Sequence, residues 1–329
     1  MEVEGSYLIA RTLKEEGVEH LFFLMGGPNY EIINNAEDFG IKVTDFRHEQ
    51  AASMAAHGYA RVTGKPGVTT AASGPGTLNL LTGQYTAWAD CAPMITLGGA
   101  GPISDFGRDG FQEVDQVGVF EPISKAVMRP TDPARYPEHI STAFRLSTSG
   151  RPGPVYVDCN EDVLYRKVEE AEVPSATRVS GRARPAGDPD LIKQAVKLLS
   201  QSKRPIVFAG GGVWWSQAYS ELRSLVERTG IPFYTSPMSR GLLPDDHEMS
   251  FPAARSGAFR RADVVLVVGT RFNWMMTFGK RIAEESKVIQ IDIHGAELGH
   301  NRSVDVGIEG DAKIVLQQMI DQVELTGFE

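Results

Sequence analysis

Short apolar runs bounded by glycine or proline recur along the first half of the chain, and stretches with a helical pattern separate them. The runs lie at His20–Leu24, Ile41–Phe46, Gly67–Ala72, Pro93–Leu97 and Pro154–Val157. Short continuous apolar runs are typical of strands that are buried on both faces of a parallel sheet. The pattern therefore predicts an α/β domain over residues 1–165.

A stretch over residues 166–189 breaks this pattern, because it is rich in charge, proline, serine and glycine and has almost no large apolar side chain. We predict that it links two domains. After it the alternation resumes over residues 190–329. Strands are predicted at Pro205–Ala209, Ile231–Tyr234, Asp263–Gly269 and Lys287–Ile293, and helices at Leu191–Leu199, Gln217–Thr229 and from Ala312. The predicted fold class is α/β, with two doubly wound parallel-sheet domains, the second of the dinucleotide-binding type.

The composition fits a globular cytoplasmic protein and excludes several classes of partner. The net charge is -9 and no basic stripe is present, so nucleic acid is not an expected ligand. No apolar run is long enough to span a membrane, and the acidic N-terminus lacks the pattern of a signal peptide. Cys91 and Cys159 lie in apolar runs without a metal-ligand spacing, so neither a disulfide nor a metal site within this chain is expected.

The first informative segment, RHEQAASMAAHGYARVTG at 47–64, follows a predicted strand and opens a helix. Its many alanines indicate that another element or a ligand approaches the helix closely. Glu49 falls in the first turn, where the helix dipole favours a carboxylate. From the residues alone, a solvated capping glutamate and a buried functional carboxylate are both open interpretations.

The second segment, ASGPGTLNLLTG at 72–83, ends an apolar strand in a Gly-Pro-Gly turn and immediately opens a helix. Backbone with this composition can approach a flat ligand, or an anion at a helix N-terminus, more closely than other residues allow. Most such turns are only turns, so this segment alone is weak evidence for a site.

Together, in order and spacing, the motifs of the first domain resemble the pyrimidine-binding domain of thiamine diphosphate enzymes of the acetolactate synthase and oxalyl-CoA decarboxylase superfamily. The shared motifs are HEQAA…GYAR…G at 48–64, SGPG…N at 73–79, FQEVDQ at 111–116 and TSGRPGPVYVD at 148–158. The resemblance implies that Glu49 is the catalytic glutamate that bonds N1′ of the aminopyrimidine and helps the neighbouring amino group take the proton from thiazolium C2. It also implies a set of cofactor-binding residues, namely Leu24, Pro28, Glu49, Ser73, Gly74, Asn79 and Gln112.

Two departures from the family pattern concern the shape of the substrate pocket. Phe23 stands where family members commonly have glycine, and a bulky side chain there is expected to alter the wall beside the thiazolium. Gln112 keeps a polar residue near the reacting centre, where lyases and decarboxylases often carry tyrosine.

The second domain resembles the central domain of the 2-hydroxyacyl-CoA lyases and oxalyl-CoA decarboxylases more than that of acetolactate synthases. The motifs are RGLLPDDH at 240–247, ADVVLVVGTRFNWMMTFG at 262–279, VIQIDI at 288–293 and NRSVDVGIEGDA at 301–312. In those enzymes this domain holds an adenine nucleotide, so the resemblance implies ADP or the adenine nucleotide of CoA. The glycine run FAGGG at 208–212 and an aspartate at a strand end also suit phosphate and ribose. The expected nucleotide-binding residues are Arg151, Gly211, Gly212, Arg271, Asn273, Asp292, Ile293 and Asp311.

Thiamine diphosphate also requires a domain that holds Mg²⁺ and the diphosphate through a Gly-Asp-Gly…Asn pattern, and this chain has none. We therefore expect a second subunit to supply that domain in a heterotetramer or larger assembly, although a shortened polypeptide is the alternative. The expected function is a heteromeric 2-hydroxyacyl-CoA lyase or carboligase, joining formyl-CoA to an aldehyde or ketone in reverse. An oxalyl-CoA decarboxylase-like or acetolactate synthase-like subunit, a non-catalytic nucleotide-binding subunit, and a flavin or nicotinamide protein stay open, as does the acyl group.

Overall fold

The computed structural model describes residues 1–176 and 183–326 of the 329-residue chain. The chain divides into two compact units, Met1–Arg182 and Ala183–Glu329. Each unit contains one parallel sheet covered by helices, which confirms the predicted fold class. In the described ranges no helix is both long and apolar enough to cross a membrane.

The first unit is built on a six-stranded sheet of order β3-β2-β4-β5-β7-β6 in which every pair is parallel. The strands of this unit are β1 (Glu2–Glu4), β2 (His20–Phe23), β3 (Lys42–Asp45), β4 (Gly67–Ala71), β5 (Met94–Ala100), β6 (Val127–Met128), β7 (Pro154–Asn160) and β8 (Lys167–Glu169). Its helices are α1 (Gly5–Glu15), α2 (Tyr30–Asp38), α3 (Glu49–Thr63), α4 (Pro75–Asn79), α5 (Leu81–Asp90), α6 (Gln116–Phe120), α7 (Tyr136–Thr148) and α8 (Glu161–Leu164).

The strand order of this sheet creates a crevice at its carboxyl edge. The chain leaves β2 toward β3 on one side and later returns to place β4 on the other side of β2. Loops that leave neighbouring strands in opposite directions open a crevice, and ligands of open α/β sheets bind at such points. The loop after β2 carries Leu24 and Pro28, and the loop after β4 carries Ser73 and Gly74, so the fold brings these predicted site residues to one edge.

The five predicted strands of this unit are all present with shifted ends. Strand β5 continues to Ala100 and β7 to Asn160, beyond the predicted ends. The sequence pattern missed β6 and the antiparallel pair of β1 and β8. These strands are only two or three residues long, too short to show a period.

The linker predicted over residues 166–189 is too long. Lys167–Glu169 pairs with Glu2–Glu4, and Arg184 Nη1 donates to Asp311 Oδ1 at 3.0 Å, so both ends of the predicted linker are packed on a unit. Asp188 accepts from backbone amides at the start of the next helix. Charged residues can form short edge strands and helix caps, and these give no apolar pattern in the sequence. For this reason the predicted linker included residues that are packed on a unit. Residues 177–182 lie outside the described residues.

The second unit contains a five-stranded parallel sheet of order β10-β9-β11-β12-β13. Its strands are β9 (Pro205–Ala209), β10 (Phe233–Thr235), β11 (Val264–Val268), β12 (Lys287–Asp292) and β13 (Val306–Glu309). Its helices are α9 (Pro189–Ser200), α10 (Gly211–Ser216), α11 (Tyr219–Thr229), α12 (Arg255–Arg261) and α13 (Ala312–Thr326). The pattern missed β13, an edge strand in which buried and more exposed residues alternate instead of forming an apolar run. The helix predicted from Gln217 begins two residues later, at Tyr219, because Gln217 has a left-handed conformation and ends α10.

Candidate active site

Glu49 is the first residue of α3, and its carboxylate is not a solvated cap. His48 is the N-cap residue, with extended backbone, and its Nδ1 accepts from the amide of Gln50 at 3.1 Å. The side chain of Glu49 is turned inward, so that the residue is only 8% exposed. Asn79 Nδ2 donates to Glu49 Oε2 at 2.9 Å. The capping that one interpretation assigned to Glu49 is therefore carried out by His48.

The second carboxylate oxygen of Glu49, Oε1, accepts no hydrogen bond from the residues that the structure describes. A methyl group added at Gly76 would lie 3.4 Å from this oxygen and 3.2 Å from the Cβ of Ala72. Glycine at position 76 thus leaves open space beside Oε1 that a side chain would fill. A buried carboxylate with one oxygen held and the other approachable fits the N–H of a planar aromatic ring, as the aminopyrimidine of thiamine diphosphate requires.

The turn after β4 brings three predicted site residues together. Ser73 Oγ donates to Gln112 Oε1 at 2.7 Å. Gly74 has φ 55° and ψ −114°, a conformation for which glycine is needed, and an added Cβ would lie 2.6 Å from the carbonyl oxygen of Gln112. Gln112 itself has a φ of 59°. Gly74 and Gln112, which both have positive φ, are therefore in close contact at the turn that leads to Asn79, the hydrogen-bond partner of Glu49.

The loop after β2 packs against the same turn. The amide of Gly26 donates to Asn29 Oδ1 at 2.9 Å, and Asn29 Nδ2 donates to the carbonyl of Leu24 at 3.3 Å. An added Cβ at Gly26 would lie 2.2 Å from the Cβ of Ala72, so this loop and the turn after β4 are in close contact. Pro28 is buried and Leu24 half-buried in this arrangement.

The expectation for Phe23 needs correction. Its side chain is 8% exposed and belongs to the apolar core of the first unit. A residue packed in this core does not form the open wall of a substrate pocket. The reason is the alternation of a strand, in which successive side chains point to opposite faces.

A buried polar network, which sequence reasoning did not identify, supports the turn from below. Gln116 Oε1 accepts from the amide of Gly74 at 2.8 Å, and Gln116 Nε2 lies 2.8 Å from Tyr156 Oη and 2.9 Å from Asp158 Oδ1. Tyr156 Oη donates to Asp158 Oδ1 at 2.6 Å, and Arg129 Nε donates to Asp158 Oδ2 at 2.7 Å. Burial, and then the charge of Asp158, raise the pKa of Tyr156 well above its usual value, so the hydroxyl stays a donor. The available signal was an aspartate within the otherwise apolar run of β7.

In the second unit, the glycines after β9 first serve the packing of two loops. A Cβ at Gly212 would lie 2.6 Å from the Cα of Gly269, and the amide of Gly212 donates to the carbonyl of Gly269 at 3.0 Å. A Cβ at Gly211 would lie 3.3 Å from the side chain of Met238. Gly212 is thus required by the approach of two backbones, whichever ligand lies nearby.

The polar residues expected to bind a nucleotide divide into two groups. At the carboxyl edge of the second sheet, Arg271 and Asn273 follow β11, Asp292 is the last residue of β12, and Ile293 comes next. Asn273 Oδ1 accepts from the amide of Met275 at 3.0 Å, and Asp292 Oδ1 from that of His294 at 3.0 Å. These two side chains therefore already order the loops that carry them.

Arg151 and Asp311 have other surroundings. Arg151 belongs to the first unit, where its guanidinium carbon lies 5.9 Å from the ring centroid of Trp88. Asp311 is 2% exposed, and its Oδ1 accepts from Arg184 Nη1 at 3.0 Å, Ser216 Oγ at 2.5 Å and the amide of Lys313 at 3.1 Å. These bonds cap α13 and account for the burial of Asp311, so this residue has a structural role, and its contact with a nucleotide stays a prediction.

Comparison with known families matches both units. Residues 3–119 match the family model described as "Thiamine pyrophosphate enzyme, N-terminal TPP binding domain" and residues 192–319 match "Thiamine pyrophosphate enzyme, central domain". The chain belongs to the thiamine pyrophosphate enzyme family. The buried glutamate of α3 and the glycine turn after β4 both lie within residues 3–119, the part of the chain that matches the N-terminal TPP binding domain.

The similar curated proteins have three different names. The chain is 38% identical over 322 residues to the 2-hydroxyacyl-CoA lyase of Arabidopsis thaliana, which covers 95% of this chain and 56% of the relative. It is 39% identical to the probable acetolactate synthase large subunit of Methanocaldococcus jannaschii, over 97% of the chain and 56% of the relative. The oxalyl-CoA decarboxylase of Escherichia coli is 34% identical, over 99% of the chain and 58% of the relative. The chain spans a little over half the length of these relatives, and their identities do not separate lyase from synthase.

Replacement of Gly74 with alanine tests the close packing of the glycine turn. Gly150 is a matched control, because it has the same φ of 55° but no atom near an added Cβ. We expect Gly150→Ala to lower the free energy of unfolding by about 1 kcal/mol and Gly74→Ala by about 2–4 kcal/mol, since only Gly74 adds a collision with Gln112. Urea unfolding followed by circular dichroism measures both. Equal losses would show that the contact contributes nothing.

Proposed function

We propose that this chain supplies the glutamate side of a thiamine diphosphate site in a heteromeric 2-hydroxyacyl-CoA lyase or carboligase. The reaction divides a 2-hydroxyacyl-CoA into formyl-CoA and an aldehyde or ketone, or joins them in reverse. The observation that carries the proposal is the carboxylate of Glu49, buried at the start of α3 with Oε2 held by Asn79 and Oε1 open. The match to the TPP binding domain supports the choice of cofactor.

Each residue of the site has a role that follows from its surroundings. Thiamine diphosphate supplies, when bound, a nucleophilic carbon and an electron sink. Glu49 would share a proton with ring atom N1′ at Oε1, and Asn79 would keep the carboxylate from rotating away. Burial keeps water from competing for this hydrogen bond, because a charge-assisted bond is stronger where water is excluded. The glycines at 74 and 76 would let the ring lie close to the backbone.

The lyase is preferred to its alternatives on the second-domain motifs. The string GTRFNW and Asp292 within VIQIDI are the features that resemble CoA-using members of the family. Relatives named oxalyl-CoA decarboxylase and acetolactate synthase keep a decarboxylase-like or synthase-like subunit as the alternative. A nucleotide-binding subunit without chemistry is disfavoured, since such a protein has no use for a buried carboxylate with one oxygen left approachable.

We propose further that a second subunit with a Gly-Asp-Gly…Asn domain holds Mg²⁺ and the diphosphate, in a heterotetramer or larger assembly. The 329 residues contain no such pattern, and the described ranges contain no cluster of histidine, cysteine or carboxylate side chains suited to a metal. Two large apolar side chains near the glycine turn support a contact face, since Phe111 is 86% exposed and Met25 52% exposed.

We predict that the 329-residue chain alone binds thiamine diphosphate weakly or not at all, because the anchor for the diphosphate lies elsewhere. Isothermal titration calorimetry with cofactor and Mg²⁺, with and without the co-expressed product of a neighbouring Gly-Asp-Gly…Asn gene, measures this. Tight, magnesium-dependent binding by the chain alone would contradict the divided site. A single longer polypeptide that contains both parts would contradict the second subunit only.

In the active assembly, we predict that Glu49→Gln lowers kcat by about 10²–10⁴-fold, the effect typical of losing a group that shares a proton in the reaction. Folding and assembly should survive, because glutamine keeps the size and the hydrogen bond to Asn79. The matched control is Glu31→Gln, which removes a half-buried glutamate from the first turn of α2. If both variants keep nearly full turnover, the catalytic assignment of Glu49 is wrong.

For the second unit we propose an adenine nucleotide, either ADP or the corresponding part of an acyl-CoA substrate, at the carboxyl edge beside Gly211, Arg271 and Asp292. We predict that Arg271→Gln weakens ADP binding about tenfold or more, as for a lost charge-assisted hydrogen bond. The control is Arg223→Gln, which changes an exposed arginine on α11. Mass spectrometry of the ligand released from purified protein gives a second measurement, and a bound yellow flavin would contradict this choice of nucleotide.

A further inference from the structure

We propose that Gln116 is a positioning residue, which sets the conformation of the segment Ser73–Asn79 and thereby the position of Asn79 on Glu49. This inference rests on the proposed function in so far as that segment serves the cofactor. Gln116 is 2% exposed and its side-chain amide joins three separate parts of the fold. It contacts the turn after β4 at Gly74, the end of β5 at Gly99, and β7 at Tyr156 and Asp158.

The partners of Gln116 permit only one orientation of its amide. The amide N–H of Gly74 needs an acceptor, and Gln116 Oε1 provides it at 2.8 Å. The other end faces the carbonyl oxygen of Gly99 at 3.0 Å and a carboxylate oxygen of Asp158 at 2.9 Å, both of which need a donor. A reversed amide would put N–H against N–H and oxygen against carboxylate.

The charge of Asp158 is what fixes this orientation. Asp158 is fully buried, and a buried carboxylate is stable only where donors surround it. Its three donors are Gln116, Tyr156 and Arg129, of which Arg129 carries the compensating charge at 2.7 Å. The guanidinium of Arg129 also lies 4.8 Å from the ring centroid of Phe106. The network thus connects the ion pair of Arg129 and Asp158, through the side-chain amide of Gln116, to the backbone N–H of Gly74.

The hydrogen bond between Gly74 and Gln116 influences Glu49 through a short segment that has several hydrogen bonds of its own. The carbonyl of Gly74 accepts from the amide of Leu78 at 2.9 Å. Thr77 Oγ1 donates to the carbonyl of Gly99 at 3.1 Å, the same oxygen that accepts from Gln116. Asn79, the last residue of α4, then holds Glu49. Because Asn79, which is bonded to Glu49, lies only five positions after Gly74, which is bonded to Gln116, a shift of the turn moves Asn79.

The test compares two buried glutamines of the first unit. Gln116→Met keeps the length and volume of the side chain but removes the amide. Gln84→Met is the matched control, because Gln84 is also fully buried and its side-chain amide is bonded at both ends, to Ser124 and Thr96, neither of which belongs to residues 73–79. Hydrogen–deuterium exchange of the 329-residue chain, followed by peptide mass spectrometry, measures opening of the segment without any cofactor. In the assembly, calorimetry measures the dissociation constant of thiamine diphosphate.

We expect exchange of the peptide covering Gly74–Asn79 to rise about tenfold or more in Gln116→Met and to stay at the wild-type rate in Gln84→Met. The dissociation constant for thiamine diphosphate should rise by a similar factor in the first variant only. Unchanged exchange in Gln116→Met, an equal rise in both variants, or a rise in exchange without loss of cofactor affinity overturns the positioning role.

A second variant covers the case in which Gln116→Met does not fold. Tyr156→Phe removes only the hydroxyl between Gln116 and Asp158 and keeps the ring, which is stacked on Phe120 at 4.1 Å between centroids. It should raise exchange of the same peptide by a smaller factor, and no rise would overturn the proposal. If the wild-type assembly does not bind thiamine diphosphate, the proposed function fails, whereas the exchange comparison still decides whether Gln116 sets this segment.

Discussion

A buried carboxylate that stays approachable from one side is the constraint on which the first unit depends. Burial of a charged group costs several kcal/mol unless donors surround it, so Glu49 needs a fixed partner, and Asn79 provides it. The other oxygen needs open space, which the glycine at position 76 leaves. Both requirements are met because α3 begins shortly after β3 and because the turn after β4 leads into α4, which carries Gly76 and Asn79.

This arrangement explains why unusual backbone collects at the carboxyl edge of the first sheet. Gly74 and Gln112 both have positive φ, and each holds the other in place. Strained conformations of this kind persist only where surrounding contacts determine them, and they are typical of functional sites. Here the surrounding contacts are the hydroxyl of Ser73 and the amide of Gln116. The second unit also has a glycine at a close backbone contact, since Gly212 lets two loop backbones meet at the carboxyl edge of its sheet.

The polar core of the first unit has a different purpose from its apolar core. Leucine, isoleucine and valine side chains fill the space between the sheet and the helices. Substitutions among these three residue types that conserve side-chain volume are generally tolerated. The group formed by Gln116, Tyr156, Asp158 and Arg129 has directional bonds, in which each donor faces one particular acceptor. Such a network specifies one arrangement of the turn, whereas apolar packing alone tolerates several.

The sequence by itself determined the class of fold, the positions of the main strands along the chain and the family, because apolar runs and sequence motifs are local signals. Through motifs that resemble those of the family, it also predicted Glu49, Ser73, Gly74, Asn79 and Gln112 as members of one site. It could not decide whether Glu49 caps its helix, since that depends on where the side chain turns, and the structure assigns the cap to His48.

Only the tertiary structure revealed the role of Gln116 and Asp158, which are 42 residues apart in sequence and meet across the sheet. It also showed that Asp311 caps α13, and it placed Phe23 in the core instead of the pocket wall. The physical reason is the same in each case. A residue type limits which bonds a side chain can form, but the partner that satisfies it is chosen by the packing of distant segments, and sequence spacing does not record that choice.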